Sequence, residues 1–168
     1  MTYHSPCPFC SKIENRERAV LQNDHAWAFL THTPIVPGHV LICPIRCVAT
    51  VDELDRDELS ALFELRSRLK IALIDAFGAE GFNFAWNEEF VAGQTVSHVH
   101  LHMLPRKTGD AGILGYEPRK FLYRPGSREP SPSAELVAVA RSVREAVIRL
   151  QSLPTRSSGK ATTRVPLQ

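Results

Sequence analysis

The alternation of apolar and polar residues predicts four β-strands, with a long helix between the second and the third. We expect the strands over residues 26–31, 39–43, 82–86 and 97–104. Pro37 and Gly38 lie between the first two strands, where Pro fixes one backbone angle and Gly accepts a positive φ. The pair suits the centre of a type II turn, so these two strands are expected to form a hairpin.

Two longer segments have the apolar period of an α-helix. The first begins at Asp55, which forms a capping-box pattern with Glu58, and it ends at Gly78. Its apolar stripe consists of Leu59, Leu62, Leu65, Leu69, Leu73 and Ala76. The second begins near Ser133, and one of its faces carries Leu136, Val139, Ala140, Val143 and Val147. Together the elements predict the α+β class, with an antiparallel sheet, one long helix packed on it and a C-terminal helix.

The length of 168 residues suits a single domain over residues 1–152, with its core in residues 20–110 and its final helix over residues 133–152. Residues 105–132 are rich in Gly, Pro and Arg and are expected to form a long loop. Residues 153–168 are rich in Ser, Thr and Arg and have little to bury, so we expect a disordered tail.

Composition and charge argue against several classes of protein. The chain contains no run of about 18 apolar residues, so no membrane span is expected. The N-terminus lacks the basic start and apolar stretch of a signal peptide, which makes the cytoplasm the expected compartment. The formal net charge is only +2, whereas general nucleic-acid binding needs a strongly basic face. Neither a membrane nor a nucleic acid is therefore expected as a partner.

Basic residues are nevertheless concentrated in one segment after the fourth expected strand. They are Arg106, Lys107, Arg119, Lys120, Arg124 and Arg128, opposed by Asp110 and Glu117. Either this segment is a solvated loop, or it attracts a polyphosphate.

Three histidines within five residues are the main candidates for chemistry. Alternate side chains of a strand point to the same face, so His98, His100 and His102 are expected to lie on one face. They could be unconnected residues on a solvated face. They could instead form a catalytic metal centre, because imidazole is a common zinc ligand. As a third alternative, one of them could be a nucleophile, since part of the imidazole is unprotonated at neutral pH and can form a covalent intermediate.

The chain has four cysteines, which are Cys7, Cys10, Cys43 and Cys47. A reducing cytoplasm makes disulfides the poorer explanation for them. Cys7 and Cys10 lie in an expected irregular arm over residues 1–15 and have the spacing of a metal-binding or redox pair. Cys43 is expected to pack inside the hairpin.

The residues around the histidines resemble the histidine triad family of nucleotide hydrolases and transferases. The similarity rests on the pattern Gly93-Gln94-Thr95-Val96-x-His98-x-His100-x-His102-x-x-Pro105-Arg106. Residues 34–42 also resemble the family, and the ending Leu104-Pro105-Arg106 looks like its fragile-histidine-triad branch, which cleaves dinucleoside polyphosphates. The resemblance covers roughly residues 5–125 and implies a homodimer whose two sheets join into one.

The resemblance implies roles for individual residues. His100 is the implied nucleophile on the α-phosphorus, and His102 holds phosphate oxygens and helps the leaving group depart. Gln94 contacts the phosphate or the leaving group, and His39 is a partner that orients the triad. The implied substrate-binding residues are Asn87, Thr95, Gly93, Thr31, Phe29 and Leu30.

Thr31 departs from the pattern of the family, which usually has Asp or Asn at this position to bind the ribose hydroxyls. One hydroxyl cannot accept from two ribose hydroxyls as a carboxylate can, so altered sugar discrimination is expected. Phe29 and Leu30 either flank the base or pack in the core.

Zinc-bearing members of the family bind the metal through a cysteine pair, a histidine three residues after the proline that ends the second strand, and the first triad histidine. The matching residues here are Cys7, Cys10, Cys47 and His98, with cysteine in place of the usual histidine. Three thiolates and one imidazole form an accepted tetrahedral structural zinc site. The alternative is an unmetallated pair, with Cys47 a small buried residue. Mg²⁺ bound together with the substrate is the second cofactor considered.

The activity implied by the resemblance is cleavage of the α-phosphate bond of dinucleoside polyphosphates or related nucleotide conjugates. It would proceed through a covalent nucleotidyl-histidine intermediate. The alternatives are a nucleoside phosphoramidase or phosphorylase of the same family, and a nucleotide-binding module with little turnover. Removal of AMP from DNA is not favoured, because the chain has little net positive charge.

Overall fold

The computed structural model describes residues 7–11, 14–110 and 130–152. Its elements, in chain order, are α1 (Pro8–Ser11), α2 (Glu14–Glu17), β1 (Ala19–Gln22), β2 (Ala26–Leu30), β3 (Val40–Pro44), a 3-10 helix (Val51–Glu53), α3 (Arg56–Phe77), β4 (Gly81–Ala85), a second 3-10 helix (Phe90–Ala92), β5 (Leu101–Arg106) and α4 (Ser133–Ser152). The expected tail lies outside the described residues, and so does most of the expected loop after β5.

The five strands form one antiparallel sheet in the order β1-β2-β3-β5-β4. Helices α3 and α4 pack together, and both contact the sheet. This arrangement confirms the predicted α+β class, with its long helix on the sheet and its C-terminal helix. Among the described helices, none is both long enough and apolar enough to cross a membrane.

The two faces of the sheet differ in what covers them. One face packs on α3 and α4 in the main core, through residues such as Leu30, Ile42 and Met103. The opposite face is called the outer face below, and its row of cross-strand partners includes Phe29, Leu41 and His102. Trp27 and Cys43, paired with each other, belong to the same face, because residues two positions apart in a strand point the same way.

Local signals in the sequence account for the ends of α3 and for the hairpin turn. The Asp55 side chain accepts a hydrogen bond from the Glu58 amide, and Glu58 accepts one from the Asp55 amide, as the capping box predicts. Gly78 ends the helix in the left-handed conformation at φ 65°. In the hairpin, the His39 amide donates to the Val36 carbonyl across Pro37 and Gly38, with Gly38 at φ 82°. The predicted type II turn is therefore present.

Two expectations about the strands and one about the N-terminal arm are corrected by the structure. Strand β1 was not predicted, because its four residues are too short to show alternation. The last strand was expected over residues 97–104, with the long loop from residue 105, but the strand runs over Leu101–Arg106. Before that point, the Val99 amide donates to the Val48 carbonyl of a loop and does not pair with a strand. The arm expected to be irregular contains the single-turn helices α1 and α2.

Glu58 connects the start of α3 to the segment after β3. Its buried carboxylate accepts two hydrogen bonds from the Arg46 guanidinium, at 2.9 and 2.6 Å, and one from the Asp55 amide. The hydrogen bonds from Arg46, more than any other contact, lower the pKa of Glu58 from its ordinary value of 4.5. The ionised form is therefore the one that stabilises the fold.

We expect Glu58→Gln to lower the free energy of unfolding by about 1–3 kcal/mol at neutral pH, because it removes a charged acceptor from a buried network. A carboxylate with a lowered pKa stabilises the fold above its ordinary value of 4.5 and loses this effect as the pH falls below it. The difference between the variant and the wild type should therefore shrink in acid, as measured by urea unfolding. Glu64→Gln, at an exposed position on the same helix, is the control and should change stability by less than about 0.5 kcal/mol. A difference that persists unchanged in acid would contradict this account.

Candidate functional site

Two rings of the triad contact each other, and a phenylalanine ring contacts the third. His100 packs edge-to-face against His102, with ring centroids 4.9 Å apart. Phe9 contacts both His98 and His100, at 5.9 and 5.1 Å between centroids. His98 and His100 lie in the segment that precedes β5. The structure therefore brings the predicted triad together, although its first two members are not in the strand.

His100 is held by the backbone of the segment that carries it. Its Nδ1 lies 2.8 Å from the carbonyl oxygen of His98, which can only accept, so Nδ1–H donates. In the neutral ring this leaves Nε2 with the lone pair. Burial lowers the pKa of His100, and the hydrogen bond to the His98 carbonyl opposes this effect. With Nδ1 donating, Nε2 is the ring nitrogen with an available lone pair, and burial disfavours its protonation.

His102 contacts His39, the residue that the resemblance implied as a partner orienting the triad. The Ile35 amide donates to Nδ1 of His39 at 3.3 Å, so His39 carries its proton on Nε2. That Nε2–H donates to Nδ1 of His102 at 3.0 Å. The neutral His102 ring then has its own proton on Nε2, as a donor. His39 itself is buried, which fixes the direction of the pair.

A second cluster lies beside the triad. One ligand atom from each of Cys7, Cys10, Cys47 and His98 lies within 4.8 Å of the other three. These residues come from the N-terminal arm, the segment after β3 and the segment before β5. The four residues proposed from the sequence to hold a metal therefore converge. Within the described parts of the chain, no other group of three or more such residues converges, and the expectation of Mg²⁺ gains no support.

The distances in this cluster fit a tetrahedral zinc site. Nδ1 of His98 lies 3.4 Å from the Cys7 sulfur and 3.5 Å from the Cys10 sulfur. With zinc bonds of about 2.3 Å to sulfur and about 2.0–2.1 Å to nitrogen, a tetrahedron places those atoms about 3.5 Å apart. On its other side, His98 donates from Nε2 to the Pro44 carbonyl at 3.0 Å, which directs Nδ1 at the thiols.

Electrostatics also favours a cation in this cluster. Burial, and then hydrogen bonding to Cys7, raises the pKa of Cys47 to about 12. The pKa of Cys10 is raised as well, by burial and by Cys7. Thiols held this close together repel one another when ionised, and a bound metal ion offsets that repulsion. Cys43 lies outside the cluster and is fully buried beside Phe29 and Leu41, as expected for a packing residue.

Phe9 links the two clusters and was not singled out in the sequence. It lies between the cysteines of the Cys-x-x-Cys pair, and its ring packs on Phe29 as well as on the two histidines. Its position inside the pair was the available signal, since a metal that holds both cysteines also fixes the residue between them. A shift of the segment that carries Cys7 and Cys10 would therefore move the aromatic ring that packs on His100.

The segment before the triad is organised by the Gln94 amide. Its oxygen accepts from the Glu89 amide at 3.0 Å, and its nitrogen donates to the Ala49 carbonyl at 2.7 Å. Glu89 has the uncommon φ of 68°, and Gly93 has a φ of 93°. Positive φ is strained for a residue other than Gly and recurs at functional sites. Glu89 is a feature that the sequence did not reveal.

Residues 87 and 95 flank this loop. Asn87 is half-buried just after β4, and Thr95 is exposed just before the triad. Glu88, also not singled out in the sequence, accepts from the Val51 amide at 2.8 Å and so attaches the loop to the first 3-10 helix. The loop is thus held by hydrogen bonds between the side chains of Glu88 and Gln94 and backbone groups.

Of the three residues proposed to bind the base and the ribose, Phe29 and Leu30 lie on opposite faces of the sheet. Phe29 is on the outer face, in the row of His102. Leu30 packs in the core under the helices, so it is not brought to the triad. Thr31 is buried, accepts from the Thr33 amide at 3.4 Å, and lines a cavity of about 210 Å³ together with His39.

Of the basic residues expected to attract a polyphosphate, the structure describes Arg106 and Lys107. Arg106 is paired with Asp110 through two contacts of 2.7 Å and also donates to Asn83. Lys107 lies 3.5 Å from the Phe77 carbonyl. Residues 119, 120, 124 and 128 lie outside the described residues. Arg106 is thus engaged in holding the end of β5.

Comparison with known proteins finds a matching domain family and related proteins. The profile of the HIT domain matches residues 12–109. A protein of Dictyostelium discoideum named bis(5'-adenosyl)-triphosphatase is 35% identical over 107 residues, which are 64% of this chain and 68% of that protein.

Two solved structures share the fold. A hypothetical histidine triad nucleotide-binding protein from Sulfolobus tokodaii superposes with a TM-score of 0.69 at 27% identity, over 86% of this chain and 94% of the other. A Zn-bound histidine triad family protein from Mycobacterium smegmatis superposes with a TM-score of 0.67 at 25% identity, over 87% and 96%.

Proposed function

The chain belongs to the HIT domain family, and on this premise we propose that it is a hydrolase that cleaves the α-phosphate bond of dinucleoside polyphosphates. The substrate class is supported by the relative named bis(5'-adenosyl)-triphosphatase and by the Pro105-Arg106 ending of β5. The observation that carries the proposal is the hydrogen bond from Nδ1 of His100 to the His98 carbonyl, because it reserves Nε2 for attack.

The reaction we propose has two displacements. Nε2 of His100 forms a bond to the α-phosphorus, and the bond from phosphorus to the leaving oxygen breaks. The leaving nucleotide departs as a phosphate anion, and Nε2–H of His102, whose tautomer is set by His39, donates a hydrogen bond to its oxygen. Water then attacks the phosphorus, the bond to Nε2 of His100 breaks, one proton of the attacking water passes to the solvent, and a nucleoside monophosphate leaves.

Other residues would assist around the reacting phosphate. Gln94 and Gly93 shape the loop beside the leaving group, and Thr95 and Asn87 supply polar groups at its ends. Phe29 would meet the nucleoside on the outer face, while Thr31 would contact the ribose through a single hydroxyl. The roles of these residues around the phosphate are part of the proposal.

Zinc is the metal we propose for Cys7, Cys10, Cys47 and His98. Three thiolates and an imidazole suit zinc, and the cluster supplies four protein ligands, so the site is closed to substrate. Bound zinc would supply structural support only. It would hold the N-terminal arm, and with it Phe9, against the histidines.

We also propose that the protein is a homodimer that forms across β4. Among the described strands, β4 lies at the edge of the sheet and pairs with β5 alone. Phe84, Trp86 and Phe63 are exposed there, and the Arg66 guanidinium lies over the rings of Phe63 and Phe84. An exposed apolar edge strand readily pairs with another strand.

We expect His100→Asn to reduce turnover of diadenosine triphosphate by at least about a thousandfold, with nucleotide binding largely retained, because no nucleophile remains at the α-phosphorus. AMP formation measures the rate, and mass spectrometry should show a nucleotidyl adduct in the wild type alone. His25→Asn, at an exposed position before β2, is the control and should leave the rate unchanged. Wild-type turnover by His100→Asn would rule out the covalent mechanism. A panel that adds nucleoside phosphoramidates separates the hydrolase from a phosphoramidase.

We expect about one zinc per chain by elemental analysis of the purified protein. Cys47→Ser should lower the zinc content and the Tm, because it leaves three ligands at a site that needs four. Cys43→Ala is the matched control, since it removes a cysteine outside the cluster and should leave the zinc content unchanged. Removal of the metal by a chelator should likewise lower the Tm. Equal zinc content in all three proteins would contradict the ligand set.

We expect the wild type to sediment as a dimer and Phe84→Lys to shift it to the monomer, because a buried lysine would lack a partner at the joined edge. Ile148→Lys, exposed on α4, is the control and should remain dimeric. Sedimentation velocity provides the measurement. A wild type that is monomeric at high concentration would refute the proposed dimer.

A further inference from the structure

We propose that a second cavity on the outer face binds the distal nucleoside of a dinucleoside substrate, with Trp27 as its stacking platform and Arg16 as its anion contact. The inference rests on the proposed function and adds to it a subsite for the leaving nucleotide. Trp27 and Arg16, the two residues it assigns, take no part in the triad, in the cysteine cluster or at the implied ribose position.

The cavity has the size and lining of a small-molecule site. Its volume is about 530 Å³, and it is lined by Phe9, Cys10, Arg16, Ala19, Gln22, Trp27 and Ile45. Small-molecule sites typically have volumes of about 300–1,000 Å³ and combine aromatic walls with a few polar groups. Here the walls are aromatic and aliphatic, and the polar groups are one guanidinium, one carboxamide and the thiol of Cys10. This combination matches a nucleobase joined to a phosphate chain.

Trp27 is placed to receive a base. Its ring stacks on Phe29, with centroids 4.4 Å apart and planes inclined by 27°, which fixes its orientation. It is half-buried and borders the cavity. A base that enters the cavity would therefore stack on a ring that is already held in place, so little side-chain entropy is lost on binding.

Arg16 and Gln22 add charge and hydrogen bonding at the rim. Both side chains are exposed and line the same cavity as Trp27. A guanidinium matches the geometry of phosphate oxygens, and a carboxamide offers both a donor and an acceptor to a base edge. The polyphosphate of the substrate is anionic, so the charge of Arg16 is complementary to it.

The cavity and the reaction centre adjoin each other at Phe9. Phe9 lines the cavity, and its ring lies 5.1 Å from His100. Trp27 also lies on the same face of the sheet as His102, as the strand register requires. A phosphate chain with one end at His100 can therefore reach the cavity without crossing the sheet.

The position of the cavity along β2 identifies which nucleoside it would bind. Thr31, at the implied ribose position of the transferred nucleotide, follows the end of β2, whereas Trp27 is near its start. Four residues of extended chain separate them by about 13 Å. One nucleoside cannot occupy both places, so the cavity at Trp27 is available to the other nucleoside of the substrate.

The test compares two substrates that share the transferred nucleotide. Diadenosine triphosphate carries a distal nucleoside, whereas the p-nitrophenyl ester of AMP does not. Trp27→Ala should lower kcat/KM for diadenosine triphosphate by about tenfold, as for the loss of one base–aromatic stack, and leave that for the ester within about twofold. Trp27→Phe should retain most of the wild-type kcat/KM for diadenosine triphosphate. Arg16→Ala should lower the ratio of kcat/KM for diadenosine triphosphate to kcat/KM for the ester. Ile148→Ala is the surface control.

A binding measurement covers the case in which Trp27→Ala fails to fold. In the His100→Asn, Trp86→Phe protein, Trp27 is the single tryptophan left of the two in the chain. Diadenosine triphosphate should quench its fluorescence at saturation, whereas AMP should not.

The outcomes separate the two hypotheses. Equal losses on both substrates, an unchanged ratio in all variants, or equal quenching by AMP would overturn the distal subsite. If the wild type cleaves neither substrate, the proposed function fails, and quenching by diadenosine triphosphate alone would still support the cavity as a dinucleotide site.

Discussion

The antiparallel pairing of β3 with β5 is the interaction on which both parts of the site depend. It sets Leu41 opposite His102 and thereby brings His39, just before β3, within hydrogen-bonding distance of His102. At its other end, β3 presents the Pro44 carbonyl to His98. The first and last histidines of the triad are thus oriented from the two ends of one central strand. His100 lies between them and is oriented by the His98 carbonyl in its own segment.

The cysteine cluster and the triad differ in chemistry but are linked by one shared residue and one aromatic contact. The four potential ligands of the cluster would leave a bound metal no open coordination position, so under the proposed function the cluster would be structural and catalysis would fall to imidazole. His98 belongs to both groups, because its Nδ1 faces the thiols while its carbonyl accepts from His100. Phe9 provides a second connection through its contacts with His98 and His100. Phe9, in the N-terminal arm, thus packs on the His100 ring, and burial lowers the pKa of that ring.

One face of the sheet packs in the main core, whereas the other carries the candidate functional site. Helices α3 and α4 cover one face with a continuous apolar core. The outer face carries Trp27, Phe29 and His102 and is partly covered by Phe9. Because the side chains of a strand alternate, each strand contributes to both faces at once. The departure at Thr31 and the aromatic cavity at Trp27 lie near opposite ends of β2, so differences in substrate preference can arise from one strand while the core is unchanged.

The sequence by itself determined the features that depend on neighbours a few residues away. The capping box of Asp55 and Glu58, the left-handed end at Gly78 and the turn at Gly38 are all present as predicted, because each is decided by local hydrogen bonds and backbone angles. The histidine spacing indicated candidate residues for chemistry, and a family resemblance implied both the nucleophile and the ligand set. Only the tertiary structure decided the rest. It pairs His39 with His102 across 63 positions, brings Cys7 to His98 across 91, and places Phe9 and Trp27 on the outer face. Such contacts depend on strand register and on chain closure over long separations, which residue patterns a few positions long do not encode.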